Sequence, residues 1–115
     1  MTQHDEQVLL SDVQVQAIRE ELQSQLMWRT SRLDELRALV EGGGGTEDGS
    51  KTNVLTDLTE TELAIAEIRE TLERLEDGSY GRCEDCGTAI PFERLKIRPL
   101  TRHCVPCRQR HEHNR

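Results

Sequence analysis

Aromatic side chains are almost missing from this sequence, whose 115 residues include one Trp, one Tyr and one Phe. With 34% hydrophobic against 32% charged residues, it has too few large apolar groups for the single core that a domain of this length normally builds. A large globular core is thereby excluded, and an elongated shape or a small metal-stapled module is expected. No run of about 18 apolar residues is present to span a bilayer. The opening MTQHDEQ has neither the basic start nor the apolar stretch of a signal peptide, so the cytoplasm is the expected compartment. Basic charge is also scarce at first: residues 1–77 hold seven Lys/Arg against eighteen Asp/Glu, a net of −11, whereas residues 78–115 hold eight against four, a net of +4. An acidic stretch is repelled by phosphates, so the whole chain is not expected to lie along a nucleic acid.

What is present divides into three parts: a polar start over 1–10, a helical region over 11–77 and a cysteine-bearing end over 78–115. Ser11 with Gln14 three residues on forms a capping box that opens a helix. Its apolar positions Val15, Ile18, Leu22, Leu26, Leu33, Leu36 and Val40 recur by threes and fours, with Arg29 in the one skipped turn, and so share one face. A helix from Ser11 to about Glu41 is roughly 45 Å long at 1.5 Å per residue. Four consecutive glycines, Gly42 to Gly45, end it, and a loop over 42–53 follows.

A second helix is expected to start between Thr52 and Thr59, with Thr59 and Glu62 as one possible capping box. Val54, Ile68 and Leu75 occupy one heptad position and Leu58, Ile65 and Leu72 the other, with Thr61 the polar member of the seam. About three heptads suffice for a coiled-coil reading, and two helices with a short connector make an antiparallel hairpin the economical solution. The hairpin serves either as a spacer or dimer-forming rod or as an arm that reaches a partner.

Cys83 and Cys86 form one C-x2-C pair and Cys104 and Cys107 a second, with seventeen residues between Cys86 and Cys104. Each tight turn aims two thiolates at one point, and tetrahedral Zn²⁺ takes four of them at about 2.3 Å. Thiol exchange needs only one pair and a βαβ setting that is missing here. Four sulfurs close the shell, so the zinc is structural and no enzyme is implied. Gly87 suits a turn of positive φ beside the first pair, and the chain is expected to leave the second pair directly into a short helix. Ile90, Phe92, Leu95, Ile97 and Leu100 are the candidate miniature core, and Arg94, Lys96, Arg98 and Arg102 its basic surface. His103, His111 and His113 are expected to face solvent. The fold class is therefore mainly α: a long antiparallel helical hairpin followed by a four-cysteine zinc finger and a short C-terminal helix.

The stretch GSYGRCEDCGTAIPFERLKIRPLTRHCVPC resembles the DksA/TraR family of RNA-polymerase-binding transcription regulators. The matching positions are Gly78, Tyr80, Gly81, Cys83, Cys86, Gly87, Ile90, Arg94, Leu95, Pro99, Cys104 and Cys107. The resemblance implies one Zn²⁺, a finger against the base of the coil, and a non-enzymatic regulator that enters the secondary channel of bacterial RNA polymerase. It also implies an effect on open complexes, often with the alarmone ppGpp, and no sequence-specific DNA binding. A monomer without membrane contact is expected. The family's channel-acting members carry D-x-x-D-x-A at the hairpin tip, whereas this tip reads EGGGGTEDGSKTN. Glu47 and Asp48 are the nearest acidic replacements, and with Arg94 and Arg98 they are the candidate partner-binding residues. Two rival readings are a zinc-ribbon nucleic-acid binder dimerising through the coil, and a structural protein–protein adaptor.

Overall fold

The computed structural model describes residues 10–42 and 49–113. Four helices follow one another: α1 (Asp12–Glu41), α2 (Gly49–Asp77), α3 (Phe92–Ile97) and α4 (Val105–His113). Among the described residues there is no β-strand, only an isolated antiparallel bridge between Arg82 and Ala89. The chain is mainly α, with two long helices paired as an antiparallel hairpin and a small cysteine module after them.

The start of α1 is set by the capping box. Gln14 N–H donates to Ser11 Oγ at 3.1 Å, and Ser11 N–H donates to Gln14 Oε1 at 3.0 Å, so two backbone donors without intrahelical partners are satisfied reciprocally. The second helix starts earlier than expected: Gly49 is its first residue, so the connector is shorter than 42–53 and the Thr59/Glu62 pair lies inside the helix. A glycine in the first turn costs little there, because the N–H groups of that turn have no intrahelical acceptor in any case. The candidate tip residues Glu47 and Asp48 lie outside the described residues.

Two compact units divide the chain. One joins the start of α1, up to Glu21, to everything from Thr71 on; the other is Leu22–Glu70. In the second unit Leu22, Leu33, Leu36, Ile65 and Ile68 are buried, which are the expected seam positions, while Leu26, Val40, Val54, Leu58 and Thr61 are half-buried beside them. Arg37 and Glu62 meet at 3.3 Å between the two helices. Both side chains are about half exposed, and a solvated pair of this kind contributes little stability. The apolar seam therefore carries the pairing in this unit.

In the first unit Ile18, Thr71 and Leu75 are buried, as are Tyr80, Ile90 and Leu95 of the cysteine module. Arg19 and Glu76 pair at 3.2 Å. The Tyr80 hydroxyl donates to the Pro99 carbonyl at 2.7 Å, which satisfies its one polar group inside an apolar setting; burial pushes its phenol up from the ordinary tyrosine value, against the opposing Arg74 cation. The miniature core is smaller than expected. Phe92 and Leu100 are half-buried, and Ile97 is 78% exposed. Ile97 follows Leu95 by two residues, which turns it about 200° around α3, away from the packed face.

Candidate metal centre

Two turns of different construction deliver the four thiols. The first follows α2: Ser79 N–H and Tyr80 N–H both donate to the Arg74 carbonyl, at 3.1 and 3.2 Å, and Gly78 takes φ +83° to let the chain leave the helix. The chain then doubles back on itself, with Cys83 N–H donating to Thr88 O at 2.8 Å and Ile90 N–H to Gly81 O at 2.7 Å. Between these bonds Gly87 adopts φ +75°, the conformation expected of it, and donates to Cys83 O at 2.9 Å. The second turn has no such glycine because α4 does the same work. Arg108 N–H reaches back to Cys104 O at 2.9 Å, and Pro106 stands in the first turn of that helix, where a missing N–H costs nothing.

These turns bring Cys83, Cys86, Cys104 and Cys107 together, with all four sulfurs within 4.8 Å of one another. Cys86 Sγ and Cys104 Sγ lie 3.7 Å apart, close to the edge of about 3.8 Å that a sulfur tetrahedron has when each Zn–S bond is about 2.3 Å. Cys83, Cys104 and Cys107 are buried, and Cys86 is exposed, which leaves an entry side for the ion. The donor set fits one structural zinc, and it fits no open catalytic position.

Four thiolates around Zn²⁺ carry a net charge of −2, and the surrounding donors offset it. Burial opposes ionisation at Cys83, but N–H groups of Cys104, Cys86 and Asp85 outweigh it and bring the thiol to about 6. At Cys86 the Thr88 hydroxyl, with Sγ and Oγ1 at 3.2 Å, lowers the thiol value, helped by the Thr88 backbone. Burial pushes the Cys107 thiol up to about 12, and the neighbouring sulfurs push it the same way. The Arg110 guanidinium, 2.9 Å from Cys107 Sγ, is the donor that favours its thiolate once a metal takes the proton's place.

The expected basic surface is thinner than the sequence reading. Arg102 is half-buried and donates to Glu84 Oε2 at 2.9 Å. Arg94 is half-buried too, with Nε directed at the His103 carbonyl at 3.4 Å. Arg98 and Lys96 remain exposed, Arg98 closing α3 with its N–H on the Arg94 carbonyl. Two of the three histidines are engaged rather than simply solvated. The His111 ring bonds the Asp85 carboxylate, and His103 Nε2 stands 3.7 Å from the other oxygen of Asp85. The hydrogen bond from His111 lowers the Asp85 value, burial opposing, and the charges of His111, His103 and Arg110 act in the same direction as the bond. These three residues stand at 85, 103 and 111, and their only signal in the sequence is that each lies within four residues of a cysteine of the cluster.

The family model for the prokaryotic dksA/traR C4-type zinc finger matches residues 78–113. The chain is similar to the RNA polymerase-binding transcription factor DksA of Caulobacter vibrioides, 46% identical over 48 residues, which cover 42% of this chain and 34% of that one. It is also similar to general stress protein 16O of Bacillus subtilis, 33% identical over 107 residues, 90% of this chain and 64% of the relative. The matches to the first curated relatives span 34–38% of their lengths. Among solved structures, transcription factor DksA2 from Pseudomonas aeruginosa superposes with a TM-score of 0.71 at 27% identity, covering 91% of this chain and 88% of that one.

Proposed function

Because this chain belongs to the DksA/TraR family, we propose that it is a non-enzymatic transcription regulator that binds bacterial RNA polymerase through the secondary channel and modulates initiation. The observation that carries the reading is the match of 91% of the chain to DksA2, combined with a four-thiol cluster of zinc dimensions. In this reading the zinc has no chemical task. It fixes the finger, and residues from the helical hairpin make the contacts inside the polymerase. Glu47 and Asp48 act at the tip, Arg98 contacts the polymerase surface, and Arg94 contributes by holding the His103 turn. The protein works as a monomer in the cytoplasm, where the polymerase is, and ppGpp acts at the polymerase interface.

The charge distribution supports a protein partner over naked nucleic acid. The chain is at −7 overall, and Arg102, one of the expected basic groups, is spent on Glu84. An acidic surface is repelled by phosphates at low salt, where a nucleic-acid binder is strongest. The test is transcription from a ribosomal promoter by purified polymerase, with and without ppGpp, comparing the parent chain with the double variant Glu47→Ala/Asp48→Ala. The parent is expected to change the yield and the double variant to bind polymerase equally while losing most of that change. A parent without effect at saturating concentration contradicts the proposal, and an unaltered double variant contradicts the role given to the tip.

A further inference from the structure

The finger presents a second group of metal-binding side chains that the structural zinc does not use. Asp85, His103 and His111 bring one carboxylate oxygen and two imidazole nitrogens within 4.8 Å of one another, with His103 Nε2 at 3.7 Å from Asp85 Oδ1 and the two rings 4.8 Å apart between centroids. The segments that supply them are those that supply the thiolates. Asp85 lies between Cys83 and Cys86, His103 directly precedes Cys104, and His111 is four residues beyond Cys107, on α4. We propose that Asp85, His103 and His111 form a second, open site for a divalent transition-metal ion on the surface of the folded finger.

Two imidazoles and one carboxylate are the ligand set of Zn²⁺, Co²⁺ or Ni²⁺, whereas Mg²⁺ and Ca²⁺ take oxygen alone. With bonds of about 2.0–2.2 Å, a tetrahedral ion needs donor separations of about 3.4 Å. The Asp85–His103 pair is already near that value, and all three side chains have freedom to close, being between 31% and 58% exposed. Binding replaces the His111–Asp85 hydrogen bond: the ligating imidazole nitrogen must be free of its proton, which a neutral ring carries on its other nitrogen and a protonated ring gives up to water. Three protein ligands leave a fourth position for water or for a side chain of a partner. Arg110, whose charge acts on Asp85, is turned to Cys107 Sγ and therefore stands beside the site without blocking it. Because the ligands converge only when both cysteine turns are in place, the second ion binds after the first and leaves before it.

The full chain, loaded with one equivalent of Zn²⁺ and desalted, is titrated with Zn²⁺ by calorimetry and with Co²⁺ by visible absorption. A second equivalent is expected in the parent, with cobalt bands that lack sulfur-to-metal charge transfer. The variant His103→Ala/His111→Gln is expected to keep its first ion and lose the second. His111→Gln alone preserves a hydrogen-bonding partner for Asp85 and carries the comparison should the double variant release its first ion. A parent that stops at one equivalent overturns the proposal, as does a variant that takes up the second ion unchanged.

Discussion

Cys107 is the thiol that zinc must work hardest to ionise. Its value near 12 keeps it protonated in the metal-free protein throughout the neutral range, while Cys83, near 6, is already a thiolate there. The zinc-bound state holds none of these protons, so lowering the pH favours the metal-free form. Zinc affinity is therefore expected to fall as pH drops from 8 to 5, more steeply once the pH passes below about 6 and Cys83 also takes up a proton, which a competition titration with a chelating dye measures. Replacing Arg110 with Ala removes the donor on Cys107 Sγ and is expected to weaken zinc binding roughly 10–100-fold; Arg110 is exposed, so the helix content by circular dichroism should not change. The four cysteines were legible from spacing alone, since two tight turns in one chain have few other reasons to converge. The Asp85–His103–His111 group was not, because carboxylates and imidazoles are ordinary surface residues until folding brings 85, 103 and 111 together.

At the scale of the elements, periodicity locates the long helices and the end of α1 at Glu41 well, and the start of α2 less well. The Ser11–Gln14 box sits where its two hydrogen bonds were expected, because capping is a local interaction of adjacent residues. The start of α2 was misplaced because Gly49 and Ser50 read as turn residues, and that weak local preference was outweighed in a helix 29 residues long. Thr71 is buried on the same face as Ile68 and Leu75, three and four residues away, although its hydroxyl removes it from an apolar count. These differences set the mutational expectations. Ile68→Ala is expected to cost about 2–5 kcal/mol in denaturant unfolding, since Ile68 is fully buried and the deletion leaves a cavity. Ser11→Ala should cost about 1 kcal/mol through the lost cap. Ile97→Ala, at an exposed position, should stay within about 0.5 kcal/mol of the parent.

For the whole molecule, the two aromatic reporters fall in different compact units: Tyr80 in the unit that holds the cysteines, Trp28 in the other. Tyr80 is buried and Trp28 is 54% exposed. Chelation of zinc is therefore expected to alter the near-ultraviolet signal of Tyr80, as its packing depends on the finger, and to leave the Trp28 emission in place, because the seam of the Leu22–Glu70 unit contains no ligand. In the proposed function zinc folds the finger and the hairpin contacts the polymerase, so binding to the polymerase is expected to require both. The most direct measurement is the binding of the full chain to RNA polymerase core by analytical ultracentrifugation, in parallel for the zinc-loaded parent and for Cys86→Ser. The parent is expected to co-sediment with the polymerase at one copy per enzyme and the variant to lose most of that affinity. A parent that sediments free of the polymerase at low salt contradicts the account, whatever its metal content.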